Sequence, residues 1–177
     1  MNMNVDKNTR VLYTYKRIPS KLVGIKRGGK MRLSTKGRYG LKAMFQLSLH
    51  YGEGPIPLKS VADEQRISEN YLEQLVAVLR KDGFLESVRG AQGGYLLSKP
   101  PSEITVGSIL RSLEGNMAPA DCVIDDEMNK CDREEHCVTK LVWMRIRDSI
   151  DEVIDSITLQ DMVDEHMDIL SNRKAEV

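Results

Sequence analysis

The chain has 177 residues, 41% of them hydrophobic, and 26 basic side chains against 26 acidic ones. That length holds one domain with an appendage. No run of ~18 apolar residues is present and the first thirty residues lack the apolar stretch of a secretory signal, so neither a transmembrane helix nor export is expected, and the expected compartment is the reducing cytoplasm. The zero net charge conceals an asymmetry. Residues 1–30 carry eight Lys/Arg against one acid, residues 31–100 ten against seven, and residues 101–177 eight against eighteen. A basic front and an acidic back steer one end of the molecule toward a polyanion, although the modest excess over 31–100 is also what an ordinary surface carries.

Residues 1–30 read as a basic extension with no sustained period. Three readings fit: an arm that contacts phosphate, a transit peptide with few serines, or a mis-assigned start. Arg27-Gly28-Gly29-Lys30-Met31 can be encoded by a purine-rich stretch just before ATG, as a ribosome-binding site translated into protein would be, and the preferred expectation is a native start at Met31.

Residues 31–115 read as one DNA-binding domain. Leu41, Met44, Phe45, Leu47 and Leu49 have helical spacing and predict a helix over 36–52, closed by Gly52. Gly54-Pro55-Ile56-Pro57 is a rigid turn, and Leu58, Val61 and Ala62 open a short second helix, Leu58–Gln65. Ser68 is a suitable N-cap for a third helix over 69–82, with Leu72, Leu75, Val76 and Leu79 inward and Gly83 as its stop. Short helix, tight turn and amphipathic helix form the helix-turn-helix pattern. Strands over 84–88 and 95–98 flank the glycine-rich turn Arg89-Gly-Ala-Gln-Gly-Gly94 and predict a β-hairpin wing. The fold class expected is mainly α (α+β), a winged helix-turn-helix.

Glu69, Asn70, Glu73 and Gln74 lie opposite the apolar face of the third helix. Asn and Gln side chains read adenine edges and Glu accepts from a cytosine amine. Ser68 and Tyr71 stand beside them, and Arg89, Gly90, Gln92 and Gly93 form the tip of the wing, where glycines allow a close backbone approach and Arg89 suits a minor groove. A solvated helix face would carry the same polar residues. No catalytic triad or paired-acid arrangement stands out, residues 90–94 lack the strand-to-helix context of a dinucleotide loop, and His50 and His166 read as ordinary helix residues, so no enzyme is expected.

All three cysteines, Cys122, Cys131 and Cys137, fall in the acidic, aperiodic stretch 116–137. An odd count in a reducing compartment argues against disulfides. Thiols clustered in a polar loop point to metal ligands or redox thiols. Zinc with His136 as fourth ligand is one possibility, but typical zinc sites pair ligands two to four residues apart, and none of these does. Direct thiol oxidation is another. Beyond Val138, Leu141, Val142, Ile146, Ile150, Val153, Ile154 and Ile157 form a helical stripe that either covers a core or pairs with a partner helix. Residues 138–163 are expected to be that helix and the segment after it, and 164–177 a frayed polar tail.

Met31-Arg-Leu-Ser-Thr-Lys-Gly-Arg-Tyr-Gly-Leu-Lys-Ala-Met44, Tyr71-Leu-Glu-Gln-Leu75, Val88-Arg-Gly-Ala-Gln-Gly-Gly-Tyr-Leu-Leu97, Ile104-Thr-Val-Gly-Ser-Ile109, Leu113-Glu-Gly115 and Ile157-Thr-Leu159 together resemble the bacterial Rrf-two family of regulators, from Met31 to about residue 163. The resemblance implies a homodimeric transcription factor, by expectation a repressor, that reads a palindromic double-stranded DNA operator, crosses its long helix with its twin, and answers to iron–sulfur or cysteine supply. It implies that Cys122, Cys131 and Cys137 ligate an iron–sulfur cluster, [2Fe-2S] or [4Fe-4S]. Where cluster-binding members have a histidine three residues after the last cysteine, this chain has Lys140, a poor iron ligand. Where some nitric-oxide sensors have an acid near the N-terminus, it has Arg38. His136, the carboxylates Asp121, Asp125, Asp126, Glu127 and Glu134, or an exogenous ligand remain as fourth donors. A nitric-oxide or thiol-redox sensor, and a regulator controlled by a docked metabolic enzyme, are the alternatives.

Overall fold

The computed structural model describes residues 33–124 and 136–175, so the basic extension lies outside the described residues. Ser34 caps the first helix, α1 (Thr35–Ser48), through its hydroxyl, which accepts from the Lys36 amide at 3.0 Å. The helix therefore starts one residue before the expected 36–52 and stops four short of it, because residues 49–52 close as turns onto Phe45, Leu47 and Ser48. After the Pro57 entry, α2 (Leu58–Gln65) and α3 (Glu69–Lys81) follow with nearly the expected bounds. Ala43, Met44, Val61, Leu72, Val76 and Leu79 from these helices are buried in one core, and each such side chain contributes about 1.5–3 kcal/mol on burial where it is as large as Val or Leu.

Both α2 and α3 end in a Schellman motif. At the end of α3, Phe84 N–H donates to Leu79 O at 2.9 Å and Gly83 N–H to Arg80 O at 3.1 Å, with Gly83 at φ +79°. At the end of α2, Ile67 N–H donates to Ala62 O at 2.9 Å and Arg66 N–H to Asp63 O at 3.3 Å, with Arg66 left-handed at φ 53°, ψ 47°. Arg66 is the sole non-glycine residue at positive φ among the described residues.

The wing pairs β1 (Leu85–Val88) with β2 (Gly94–Leu97), Leu85 opposite Leu97 and Val88 opposite Gly94. Ile56 extends the sheet by exchanging two 2.9 Å backbone bonds with Tyr95. This clamps the wing to the turn before α2. A Cβ on Gly94 would lie 2.1 Å from Ile56 O, so the position accepts only glycine.

Residues 106–114, left unassigned as an element by the sequence reading, form α4 (Val106–Glu114), capped by the Thr105 hydroxyl and stopped by Gly115 at φ +79°. It packs on α1 across Gly37 and Gly40, where a Cβ would overlap Glu114 and Leu113. The Glu114 carboxylate accepts from Ser34 Oγ at 2.6 Å and Gly37 N–H at 2.8 Å, which places a negative charge at the positive end of α1.

The helix and following segment expected over 138–163 are two helices. α5 (Val138–Asp155) stops at Ser156, and α6 (Leu159–Ala175) begins at once. The break is a reciprocal capping box: Thr158 Oγ1 accepts from Asp161 N–H at 3.1 Å while the Asp161 carboxylate accepts from Thr158 N–H at 2.9 Å. Ile157 thus leaves the helical stripe, and its carbonyl accepts from Val106 N–H at 2.8 Å, while Leu159 N–H donates to Ile104 O at 2.9 Å. Of the tail expected to fray over 164–177, residues 164–175 belong to α6. Leu159 is fully buried in the winged-helix core, Met162 packs against it, His166 meets Phe45 edge-to-face at 5.5 Å, and helix continues to Ala175. No helix of the described residues is long and apolar enough to cross a membrane.

Gly94→Ala is expected to lower stability by about 1–3 kcal/mol through backbone overlap at Ile56. Urea melts of wild type and variant measure it, and an unchanged midpoint would show that the wing is not clamped there.

Candidate nucleic-acid interface and cysteine site

Ser68, Glu69, Asn70, Glu73 and Gln74 are all exposed on α3, on the side away from buried Leu72, Leu75, Val76 and Leu79. Arg89, Gly90 and Gln92 are exposed at the wing tip. Two expectations change in detail. Ser68 occupies the N-cap position with extended backbone, but its hydroxyl makes no capping bond, and its carbonyl alone accepts from Tyr71 and Leu72. Tyr71 is half-buried with its ring edge-to-face on Tyr39 at 6.0 Å, so it ties α3 to α1. Gly93 has an internal reason to be glycine: a Cβ there would lie 2.3 Å from Val88 O. Gly90, at φ +122° with open space around it, is fixed by backbone conformation alone.

Of the cysteines, Cys122 and Cys137 are free and half-buried, and Cys131 lies outside the described residues. Cys122 sits in a single 3₁₀ turn, Asp121–Val123, anchored by buried Val123 and by Arg147 of α5, whose guanidinium donates to Val123 O at 2.7 Å. Cys137 stands at the start of α5 with its Sγ 3.1 Å from Thr139 Oγ1. The Thr139 hydroxyl and then the Lys140 amide hold the Cys137 thiol below its ordinary pKa, with the Lys140 charge adding to them. Lys140, which stands where cluster-binding relatives are expected to have a histidine, thus favours the thiolate beside it. His136 is exposed. Among the described residues no three His, Cys, Asp or Glu side chains converge as a metal site. The donors that are described, two free thiols of which one is held toward thiolate, have the chemistry a cluster or a soft metal requires.

Between α4, α5 and this turn lies an open cleft of about 600 Å³ that Met117, Val123, Arg111 and Arg147 help to line. Its charges are matched internally: Arg111 bridges Asp151, at 3.3 Å, and Asp155. On α5 no residue is buried. Val138 is 74% exposed and Leu141 60%, and Val142 and Val153 are open as well.

A capped helix pair, an exposed polar face on the second of them and a clamped hairpin wing define a winged-helix DNA-binding protein. The chain belongs to the Rrf2 family, described as iron-dependent transcriptional regulator, whose match covers residues 33–165. It is a transcriptional regulator rather than an enzyme. It is 49% identical over 132 residues to the HTH-type transcriptional regulator CymR of Bacillus subtilis, covering 75% of this chain and 89% of that one. The solved structure of that protein, the global cysteine regulator of B. subtilis, superposes with a TM-score of 0.63 over 77% of this chain and 98% of the other, at 47% identity. The chain is 38% identical over 149 residues to the regulator IscR of Pectobacterium carotovorum, covering 83% and 89% of the two. The T. potens IscR structure gives a TM-score of 0.63 at 51% identity, covering 77% and 88%.

The Cys137 thiol is expected to alkylate at lower pH than an ordinary cysteine. In a pH profile of iodoacetamide labelling read by mass spectrometry, its midpoint should fall below that of an unstructured cysteine peptide and move upward in Thr139→Ala. Identical profiles for wild type and variant would rule out the hydroxyl as the cause.

Proposed function

We propose that the protein is a homodimeric repressor that holds an iron–sulfur cluster on Cys122, Cys131 and Cys137 and reads a palindromic operator with α3 and the wing of each subunit. The observation that carries this reading is the position of the two described thiols. Cys122 lies in a turn fastened to α5 through Arg147 and Val123, and Cys137 opens α5 itself. Bound there, a cluster supplies an iron- and redox-responsive group whose retention depends on cellular supply. The chain's own residues do the coupling. Cys137 presents a thiol held below its ordinary pKa, Val123 and Arg147 fix the turn that carries Cys122, and α5 presents an unburied apolar face along about 27 Å, enough to cross a twin helix. A change at the thiols therefore acts at the element that sets the separation of the two readers. Ser68, Glu69, Asn70, Glu73 and Gln74 face the major groove, and Arg89, Gly90 and Gln92 the backbone or minor groove. Tyr71 and Gly93 support them by packing. The regulated genes serve iron–sulfur cluster assembly or cysteine supply, the second in keeping with the B. subtilis relative's description.

A second reading, a thiol-redox switch, draws on the same lowered Cys137 pKa and the similarity to a cysteine regulator. Control by a docked metabolic enzyme draws no support from the family or the relatives.

Anaerobic purification with a visible spectrum and counts of iron and acid-labile sulfide separates the readings. A brown protein with matched iron and sulfide, bleached in each Cys→Ala variant, is the expected result. A protein that stays colourless after reconstitution sinks the cluster reading and leaves zinc analysis to decide between metal and thiol. For the dimer, Leu141→Glu should reduce the mass by light scattering from twice the 20.0 kDa chain mass to that of one chain. Because Leu141 is exposed within the subunit, its far-UV circular dichroism should change only slightly. Retention of the doubled mass would place the interface elsewhere.

A further inference from the structure

Two turns with the same hydrogen-bond pattern end α2 and α3, yet they differ at the left-handed residue. Gly83 fills it after α3 and Arg66 after α2. A side chain at positive φ is strained, and such strain persists where the surroundings impose it and the residue is of use. The surroundings impose it through Ile67, buried in the core immediately after the turn. They do not explain the arginine. Arg66 is exposed, and its guanidinium makes no hydrogen bond or ion pair among the described residues. Glycine would close the same motif without strain.

The location gives the cation a use. Arg66 stands two residues before Ser68, at the entry to α3, where the hydroxyl leaves the helix's first amides uncapped. Unpaired amides and the positive end of a helix attract a phosphate, while Glu69 in the first turn opposes one. A planar, permanently charged guanidinium on a residue this near the start of α3 can offset Glu69 and matches phosphate oxygens. We propose that Arg66 is a phosphate-contacting residue of the DNA interface, and that its left-handed conformation is retained for that contact. This rests on the DNA-binding reading of α3.

The test compares Arg66→Gly, Arg66→Lys and, as a charge control on α6, Arg173→Gln. Binding is measured by fluorescence anisotropy against a labelled duplex of mixed random sequence from 50 to 200 mM salt, because a phosphate contact is independent of sequence. Arg66→Gly should melt at or above the wild-type temperature and yet bind more weakly. Its plot of log affinity against log salt should be shallower by about 0.9 per subunit, so its affinity deficit shrinks about 3.5-fold per subunit across that range. Arg66→Lys should restore the slope, and Arg173→Gln should leave it unchanged. Wild-type affinity and slope in Arg66→Gly would overturn the proposal, as would a clear loss of melting temperature in it, which would make Arg66 a packing residue. Absence of salt-dependent binding by the wild type would overturn the DNA-binding reading together with it.

Discussion

The return of the chain at Ile157–Leu159 to Ile104–Val106 is the constraint on which the arrangement depends. Two backbone bonds, Val106 N–H to Ile157 O and Leu159 N–H to Ile104 O, tie the end of α5 to the winged-helix core. Leu159 is buried as a consequence, and α6 covers α1 instead of extending α5. Pinned in this way at one end, and fastened near the other by Arg147 and Val123, α5 lies across the domain with its apolar side chains unburied. The same geometry that makes the core complete leaves α5 with apolar side chains that the described residues do not bury.

Different forces hold the two ends of α4. Toward α1, Gly37 and Gly40 let Leu113 and Glu114 approach closely. Glu114 accepts two charge-assisted bonds at a helix start, of a kind worth about 1.5–3 kcal/mol each. Toward α5, Arg111 meets Asp151 and Asp155 with all three side chains more than 40% exposed, where an ion pair contributes about 0–1 kcal/mol. The joint between α4 and α5 therefore rests less on these ion pairs than on the Val106–Ile157 backbone bond and on Gly107, where a Cβ would overlap Asp155 and Ile154.

Legibility in the sequence followed punctuation. Pro57, Gly83 and the glycines of 90–94 marked α2, α3 and the wing, and the structure has all three. The joint at 156–158 contains neither Gly nor Pro, and the apolar stripe reaches Ile157 inside it. The available signal was Thr158 with Asp161 three positions later, a capping pair inside an apparently continuous period. α4 is similarly faint in the sequence, since only nine residues lie between its cap, Thr105, and its stop, Gly115. At the candidate interface, residue type and helical face gave the exposed side of α3, but not the fate of individual groups. Ser68 has a capping side chain that does not cap, and the Tyr71 ring is held by Tyr39, a contact 32 positions away in sequence. Arg66 carried no signal at all, since nothing in an arginine announces positive φ.

These magnitudes bear on how a change at the cysteines could reach the DNA. Moving a two-state equilibrium from 1:99 to 99:1 requires about 5.5 kcal/mol of differential binding. The exposed Arg111 pairs are too weak to hold either state against such a shift. Burial of Val123, about 1.5–3 kcal/mol, and the bond from the Arg147 guanidinium to its carbonyl, about 1.5–3 kcal/mol, together approach the required scale. Both belong to the turn that carries Cys122, and both are made to or beside α5. If thiol ligation or oxidation is felt by the reader, the energetics place the coupling in the seating of Val123 and Arg147, with the ion pairs across the cleft following it.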